Sequence, residues 1–426
     1  MKVSEPVIRK GFFWKAGQED HKVSGTLTIT NGGIAELEII GNLNEDGGFI
    51  FEGELESNFL VYGQLDKDNY ASLYNCYYKR KTNSLTSGIS TSIIKPRISL
   101  LGVAFEENEP VITYKSVYFE LTDISSWVDI SGFKILRPHE QKRFLIDFTM
   151  PDNIEIVLND IGSFSIDFNA SHSLGFSQEI TARQTTAFKI HPQAPISIEK
   201  ATDIISKIQH FIMLATQETL SIENVKAILT PDQDEQACDP QKIIVKWYYE
   251  SSPFQSDSKT TKRDSVLFTL SSISNDLELR LNKWLEIYEK AQPSIWLYFS
   301  SVTGAHRYSE STFLSLSQAA ESYQRNISGN KKINFQQRIA ELTKPFSHLC
   351  KFDIDNFLDL TKHTRNYLTH YNEEIKSKSA KGLELYFLNK KLKDVMTLNI
   401  LKDIGFSPDE LEKISNQAGF LRDDAR

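Results

Sequence analysis

The spacing of apolar residues changes once along the chain, near residue 195. Before that point, apolar and polar residues alternate in short runs that are bounded by glycine, asparagine or proline. After it, apolar residues recur every three or four positions, beginning with the run from Ile198 to Leu214. A period of two is typical of half-buried strands, and a period of three to four is typical of amphipathic helices. The sequence therefore predicts an α+β protein with two domains, 1–195 and 196–426, because 426 residues exceed what one core usually organises.

The first domain is predicted to consist of short antiparallel strands. Residues favoured in strands surround Asn-Gly-Gly and Gly-Gly turn sequences, and such numerous, evenly spaced runs predict a β-sandwich-like domain or a curled sheet. The glycines are interpreted as hairpin turns because no Gly-Lys-Ser pattern opens a helix after them. The predicted strands are KVSGTLTIT, NGGIAELEIIG, GGFIFEGEL, NFLVYGQL, PVITYKSVYFEL, KRFLIDFTM, GSFSIDF and ITARQTTAFKI.

Two further segments of this domain are open to interpretation. Residues 81–95, KTNSLTSGISTSIIK, are predicted to form a polar loop. The run YNCYYKR is interpreted as a strand with a basic end, and the alternative is a face that binds nucleic acid or another ligand.

The second domain is predicted to be a helical bundle interrupted by a short β-like insertion, KIIVKWYYESS. Ser309, Asp353 and Ser407 stand at the starts of three helices, where their side chains can cap free amides. The predicted helices are 264–291, 309–327, 334–345, 353–375, 380–403 and 407–416.

The three cysteines, Cys76, Cys238 and Cys350, are odd in number and far apart, which favours reduced thiols that pack as small hydrophobic residues. The first twenty residues lack the apolar core of a secretion signal, and no stretch approaches the roughly 18 apolar residues that cross a membrane. We therefore expect a cytoplasmic protein without a membrane segment.

Charge is distributed unevenly. Residues 325–402 carry 15 Lys+Arg and 8 Asp+Glu, a balance of +7, so the remainder of the chain carries −15 of the total of −8. A basic region in an acidic chain suits an anionic partner, although it can also be a solvated surface.

The stretch TRNYLTHYN lies within this basic region and places Arg365 five residues before His370, with Asn366 directly after the arginine. On a helix over 353–375, an apolar stripe is predicted to be buried: Phe357, Leu360, Thr364, Leu368, Tyr371 and Ile375. Asn366 and His370 are adjacent on the opposite face, and Arg365 lies about 140° round the helix from His370, so that its long side chain can bend toward the imidazole.

Two other interpretations of these residues stay open. The motif can be an ordinary polar face of a surface helix. His348 and Cys350, together with His363, suggest a metal site, but the His-x-Cys spacing is not that of zinc ligands, so no metal is expected.

The motif RNYLTHY resembles that of the HEPN domain (higher eukaryotes and prokaryotes nucleotide-binding), a helical bundle whose ribonuclease members carry an Arg, a polar residue, three variable positions and a His. The whole chain is also similar to the ApeA-type anti-phage family, in which a β-rich domain with a GFFW-like opening precedes the HEPN domain. FLSLSQAAESYQRNI, with Glu321 and Arg325, looks like the helix that these proteins place before the catalytic one.

The resemblance implies a metal-independent endoribonuclease that cleaves host RNA, plausibly tRNA, and works as a homodimer through its HEPN domain without a cofactor. Histidine titrates near neutral pH, so His370 can act as a general acid or base, while Arg365 can hold the scissile phosphate. Asn366 can orient the imidazole, bond the phosphate, or be an inert exposed amide. Residues expected to attract RNA phosphates are Lys362, Lys351, Arg325 and His363.

A second interpretation belongs to a different class of protein. HEPN domains without catalysis bind nucleotides or partners, and the β domain would then hold a ligand of its own. In the first interpretation the β domain is a sensor or regulator.

Overall fold

The computed structural model describes residues 1–43, 57–82, 89–103, 113–136, 145–173, 181–229, 243–255, 266–303 and 309–423. The chain forms two compact units. The first comprises Met1–Ile124, Ile130–Ser206 and Leu220–Thr260, and the second comprises Ser125–Asp129, Lys207–Thr219 and Thr261–Arg426. The boundary at residue 195 stays a sequence prediction.

The first unit is an antiparallel β structure. The described strands are β1 Val7–Lys15, β2 Val23–Thr30, β3 Ile34–Ile40, β4 Ser57–Leu65, β5 Tyr70–Thr82, β6 Thr91–Lys95, β7 Ile98–Leu101, β8 Tyr114–Leu121, β9 Phe133–Leu136, β10 Leu145–Phe148, β11 Ile154–Leu158, β12 Gly162–His172, β13 Ala182–Pro192, β14 Ile222–Leu229 and β15 Ile244–Tyr249. Strands β9 and β10 form a ribbon of two, and the others form one sheet in the order β11-β12-β13-β8-β14-β15-β7-β5-β4-β1-β2-β3-β6.

The end of this large sheet closes into a six-stranded barrel because β6 pairs both with β3 and with β5. Strand β5 makes this closure possible because one of its edges pairs with two strands in succession. Residues Ala71–Tyr74 pair with β7, whereas Tyr77–Thr82 pair with β6. Between the two parts, Asn75 adopts a left-handed conformation with a φ of 53°. Such an irregularity bends a strand, so β5 can leave the open sheet and enter the barrel.

The interior of the barrel is built around Phe13 of the GFFW segment, which is fully buried. Two glycines on neighbouring strands make room for its ring. A Cβ atom at Gly63 would lie 2.6 Å from the ring and one at Gly25 would lie 3.0 Å from it. The glycines of these strands therefore serve close packing as well as turns.

The predicted α+β class and the antiparallel strands are confirmed, and the curled-sheet alternative describes the closed end of the sheet better than a sandwich does. Alternation indicates which face of a strand is buried, but not which strands pair, so it could not distinguish these arrangements. The polar loop predicted for 81–95 is wrong at both ends, because Lys81 and Thr82 belong to β5 and Thr91–Lys95 form β6. The strand predicted for GGFIFEGEL lies outside the described residues.

The second unit is helical. Its described helices are α1 Ser125–Val128, the C-terminal part of α2 Ile198–Thr216, α3 Leu270–Ile273, α4 Leu277–Val302, α5 Ser309–Ser328, α6 Phe335–Thr343, α7 Ile354–His370, α8 Gly382–Asp403 and α9 Pro408–Ala418. Short 3-10 helices follow α6 and α7, at Lys344–Phe346 and Glu373–Lys378.

Helix α8 runs through the centre of this bundle. From Val395 to Leu401 every residue is buried, and the Asn399 amide donates to the Leu342 and Val395 carbonyls, each at 2.8 Å. Helices α4, α5 and α6 pack against it. The bundle thereby fixes the relative positions of α5, α6 and α7, which carry the residues discussed next.

Candidate active site

Helix α7 carries the arginine–histidine motif and is shorter than predicted. The Asp353 side chain caps its first turn by accepting a hydrogen bond from the Asn356 amide at 3.1 Å. The helix ends at His370 because Tyr371 takes a left-handed conformation, with φ 50° and ψ 37°. His370 therefore occupies the last helical position, where its side chain meets solvent.

The buried face of α7 is formed by Phe357, Thr361, Thr364 and Leu368. The Thr364 hydroxyl accepts a buried hydrogen bond from the Ala380 amide at 2.9 Å, which ties the returning chain to the helix. The predicted stripe is wrong at its C-terminal end. Tyr371 is 68% exposed, since the chain has already left the helix at that point.

Arg365 lies at the edge between the buried and exposed faces, and about a third of its side chain is exposed. Its Nη2 atom is 3.5 Å from Oε2 of Glu321 on α5, and its Cζ atom is 5.4 Å from the centre of the Phe335 ring at the start of α6. Nη1 also makes a long hydrogen bond of 3.4 Å to Oδ1 of Asn366. Contacts from both neighbouring helices thus hold the guanidinium.

Glu321 joins two arginines. Its Oε1 atom is 3.1 Å from Nη2 of Arg325, one turn further along α5, while Oε2 faces Arg365. One carboxylate therefore offsets part of the charge of two guanidinium groups. The group as a whole keeps a positive charge, and both arginines stay partly exposed to an incoming anion.

The sequence analysis expects that the Arg365 side chain can bend toward the imidazole, but the structure directs it toward Glu321 and Phe335. In the part of the chain that the structure describes, His370 makes no hydrogen bond or ion pair, and Asn366 bonds Arg365 rather than the imidazole. His370 is thus free to approach a substrate. Phosphate binding by Arg365 and proton transfer by His370 are compatible with this geometry, because the two groups do not block each other.

The expected RNA-binding residues occupy different parts of the helical unit. Lys362 and His363 are half-buried on α7 within one turn of Arg365, and Arg325 reaches the same group through Glu321. Lys351 is exposed just before the start of α7. Since α7 has 17 residues, about 24 Å separate its ends, so Lys351 lies far from His370.

The described residues contain no group of three His, Cys, Asp or Glu side chains that could hold a metal ion, so His348, Cys350 and His363 do not form one. Burial raises the pKa of Cys350 to about 11 and that of Cys76 still further. Neither thiol is therefore ionised near neutral pH. Cys238 lies outside the described residues.

Sequence reasoning noted Glu321 without giving it a role and missed Phe335. The spacing of Glu321 and Arg325, four residues apart, signals a pair along α5. Nothing in the sequence signals that this pair faces Arg365, which is 44 positions away from Glu321, or that an aromatic ring covers the guanidinium.

Comparison with protein families yields two matches. The model for ApeA N-terminal domain 1 matches residues 8–284, which is more than half of the chain, and the model for the Apea-like HEPN domain matches residues 305–410. The chain belongs to the ApeA-type HEPN family. Arg365, His370 and Glu321 all lie within the HEPN match. No curated protein and no solved structure matches the chain.

Membership of this family indicates an anti-phage HEPN nuclease, and HEPN domains are generally ribonucleases that commonly dimerise. Among the described residues, no helix is long and apolar enough to cross a lipid bilayer.

Proposed function

We propose that this ApeA-type HEPN protein is a metal-independent endoribonuclease that defends a bacterial cell by cleaving RNA in the cytoplasm, with tRNA as the expected substrate, once phage infection triggers it. The observation that carries the proposal is the placement of Arg365, Asn366 and His370 on the solvent-facing part of one helix inside the HEPN match. The β-rich unit would act as the sensor or regulator.

His370 supplies the proton transfer in this mechanism. The 2′-hydroxyl of the RNA attacks the adjacent phosphorus and loses its proton, and the departing 5′-oxygen takes up a proton as its bond to phosphorus breaks. The products are a 2′,3′-cyclic phosphate and a 5′-hydroxyl. An exposed imidazole can accept a proton at one ring nitrogen and donate one from the other, which suits a general acid or base.

Arg365 binds the scissile phosphate. Its guanidinium offers two parallel N–H donors to two phosphate oxygens and offsets the charge that develops on them. A phosphate that takes this position replaces Glu321 as the anionic partner of Arg365. Glu321 is not left unpaired by the exchange, because Arg325 is still 3.1 Å from its other oxygen.

We further propose that two copies of the chain complete the site. His370 stands at an open helix end, where a single copy cannot surround a phosphate. Large apolar side chains are exposed beside the motif, and Tyr371, Leu383 and Tyr386 are each more than half accessible. An isologous contact through these residues would bring two motif helices together.

Replacing Leu383 and Tyr386 with aspartate should give monomers in light scattering and abolish cleavage. A monomeric protein that cleaves RNA at the full rate would contradict the composite site.

The test of the proposed function compares wild type with His370→Ala after induction in bacteria, with RNA integrity and growth as readouts. We expect wild type to fragment RNA and stop growth, and the variant to do neither. His348→Ala is the matched control, because His348 is also exposed but lies outside α7. It should behave as wild type.

The same experiment separates the two classes of function. If His370→Ala still arrests growth and cuts RNA, the assignment of the site is wrong. If wild type binds RNA or nucleotides but no condition that includes phage infection produces cleavage, the protein is a non-catalytic HEPN binding module.

A further inference from the structure

The turn between α5 and α6, residues 329–334, carries two lysines that lie outside the motif. Lys331 and Lys332 are both exposed, and neither forms an ion pair within the described part of the chain. Of the nearby cations, Arg325 and Arg365 already share the Glu321 carboxylate. An incoming anion can therefore engage these two ammonium groups without displacing a carboxylate.

Hydrogen bonds fix the backbone of this turn. Buried Arg338 donates a hydrogen bond of 2.8 Å to the Asn330 carbonyl, and the Asn330 side chain accepts one of 3.0 Å from the Lys332 amide. Asn334 then caps α6 by accepting from the Gln337 amide at 3.0 Å. Because these bonds fix the main chain, the points from which the two lysine side chains extend are defined.

The turn also leads directly to Arg365. Phe335, the first residue of α6, contacts the Arg365 guanidinium at 5.4 Å, and the next residue, Gln336, donates to Asp359 at 2.6 Å. Asp359 and Arg365 are six residues apart on α7, about 9 Å along the helix axis, and Lys362 lies midway between them. The start of α6 thus lies beside the polar part of α7 that contains Lys362.

The distance between the lysines and the guanidinium is limited by the chain itself. Lys332 precedes Phe335 by three residues, so their Cα atoms are at most about 11 Å apart. The exposed and half-buried charges sum to +3, with five cations and two carboxylates, and buried Arg338 below the turn is offset by Glu341, to which Gln324 links it. The cations are Arg325, Lys331, Lys332, Lys362 and Arg365, and the carboxylates are Glu321 and Asp359.

We propose that Lys331 and Lys332 form a phosphate-binding element for single-stranded RNA, which holds the backbone phosphates next to the one bound by Arg365. This inference rests on the proposed ribonuclease function. Lysine is a compact point charge without the planar fork of arginine, so the element should bind phosphates regardless of base sequence. It would align the strand on α7, and the chemistry would remain with Arg365 and His370.

The test measures RNA binding in a His370→Ala background, in which the strand is not cut. The probe is a short fluorescein-labelled single-stranded RNA of mixed sequence, and anisotropy is recorded over a range of KCl concentrations. Replacing both lysines by glutamine should make the plot of log K against log salt shallower by about 1.4, because each contact with single-stranded RNA contributes about 0.7. At 0.15 M salt this corresponds to roughly tenfold weaker binding.

The matched control is Lys344→Gln with Lys413→Gln. Both lysines are exposed and make no ion pair among the described residues, and Lys344 lies beyond the opposite end of α6. This variant loses the same two charges, so its salt slope should stay within the error of the parent. An equal loss in both variants would overturn the inference, because it would show a general effect of net charge. An unchanged slope in the Lys331, Lys332 variant would overturn it as well.

A second measurement uses the same substitutions with His370 intact. We expect KM for RNA cleavage to rise and kcat to stay near the wild-type value, since the lysines bind phosphates away from the bond that breaks. A loss of kcat at unchanged KM would contradict a binding role. If the wild-type protein neither binds nor cleaves RNA, the proposed function itself fails, and that result differs from a functional enzyme whose RNA binding ignores the turn.

Discussion

Replacing Arg365 with alanine should abolish RNA cleavage while costing little stability. The ion pair with Glu321 at 3.5 Å would contribute about 5 kcal/mol at an effective dielectric constant of about 20. Solvent screening and the ordering of two side chains reduce the net value of such a partly exposed pair to about 0.2–1 kcal/mol. The contact with the Phe335 ring adds about 0.5–1 kcal/mol. The sum is a loss of about 1–2 kcal/mol.

The substitution leaves no isolated charge that would raise this cost. Glu321 keeps Arg325 as its partner at 3.1 Å, so its carboxylate stays compensated. For a domain of about 150–250 residues, each kcal/mol lowers the melting temperature by about 2–4 °C. Arg365→Ala should therefore melt about 2–8 °C below wild type. His370 makes no bond within the described residues, so His370→Ala should change stability by less than about 0.5 kcal/mol.

The assay combines thermal unfolding followed by circular dichroism with cleavage of a labelled RNA. Losing the side chain that binds the scissile phosphate should lower the cleavage rate by at least about a hundredfold, as loss of a single transition-state hydrogen-bond donor does. Arg365→Lys is the matched control. Lysine keeps the positive charge but lacks the planar pair of N–H donors, so the activity of this variant should lie between those of wild type and Arg365→Ala. A melting point lowered by much more than about 10 °C, or full activity in Arg365→Ala, would refute this account.

Three further predictions concern the helical unit. Burial lowers the pKa of His210 to about 4 from 6.5, so between these values the unfolded chain binds a proton that the folded protein excludes. The free energy of unfolding, measured with urea, should therefore fall as the pH falls through this window, by about 2 kcal/mol at pH 5. The His210→Gln variant should not show this loss. Thr364→Val should cost about 1–3 kcal/mol in the same experiment, because it leaves the buried Ala380 amide without its acceptor. Cleavage should proceed equally in EDTA and in magnesium and leave 2′,3′-cyclic phosphate ends; an activity lost on chelation and restored by a divalent ion would assign the chemistry to a metal.

The helices show what a single sequence can and cannot reveal. The start of α7 was predictable because Asp353 is a capping residue at the head of an apolar repeat, and the structure contains that cap. Its end was not, because Tyr371 leaves the helix in a left-handed conformation that glycine usually signals. The apolar spacing continues through Tyr371, so the pattern extended the helix too far.

The closed barrel could not be predicted from the sequence, for a different reason. The run YNCYYKR of β5 is interpreted from the sequence as a strand, but closure depends on which strands pair with its edge, and that edge changes partner at Asn75. Pairing between distant segments leaves no trace in local spacing. The contact of Glu321 with Arg365 has the same character: each residue lies in a predictable helix, and only the packing of α5 against α7 brings them together.

The resting contacts of Arg365 bear on how RNA reaches the site. A solvent-exposed arginine is mobile, whereas this one is held by a carboxylate on α5 and a ring on α6, so little rotational freedom remains to be lost when a phosphate binds. The carboxylate also competes with phosphate for the same guanidinium. Strong binding therefore requires further cations that have no such competitor, and Lys331 and Lys332 meet this requirement at the adjoining turn. The arrangement favours a polyanion, which engages several cations at once, over a single free phosphate.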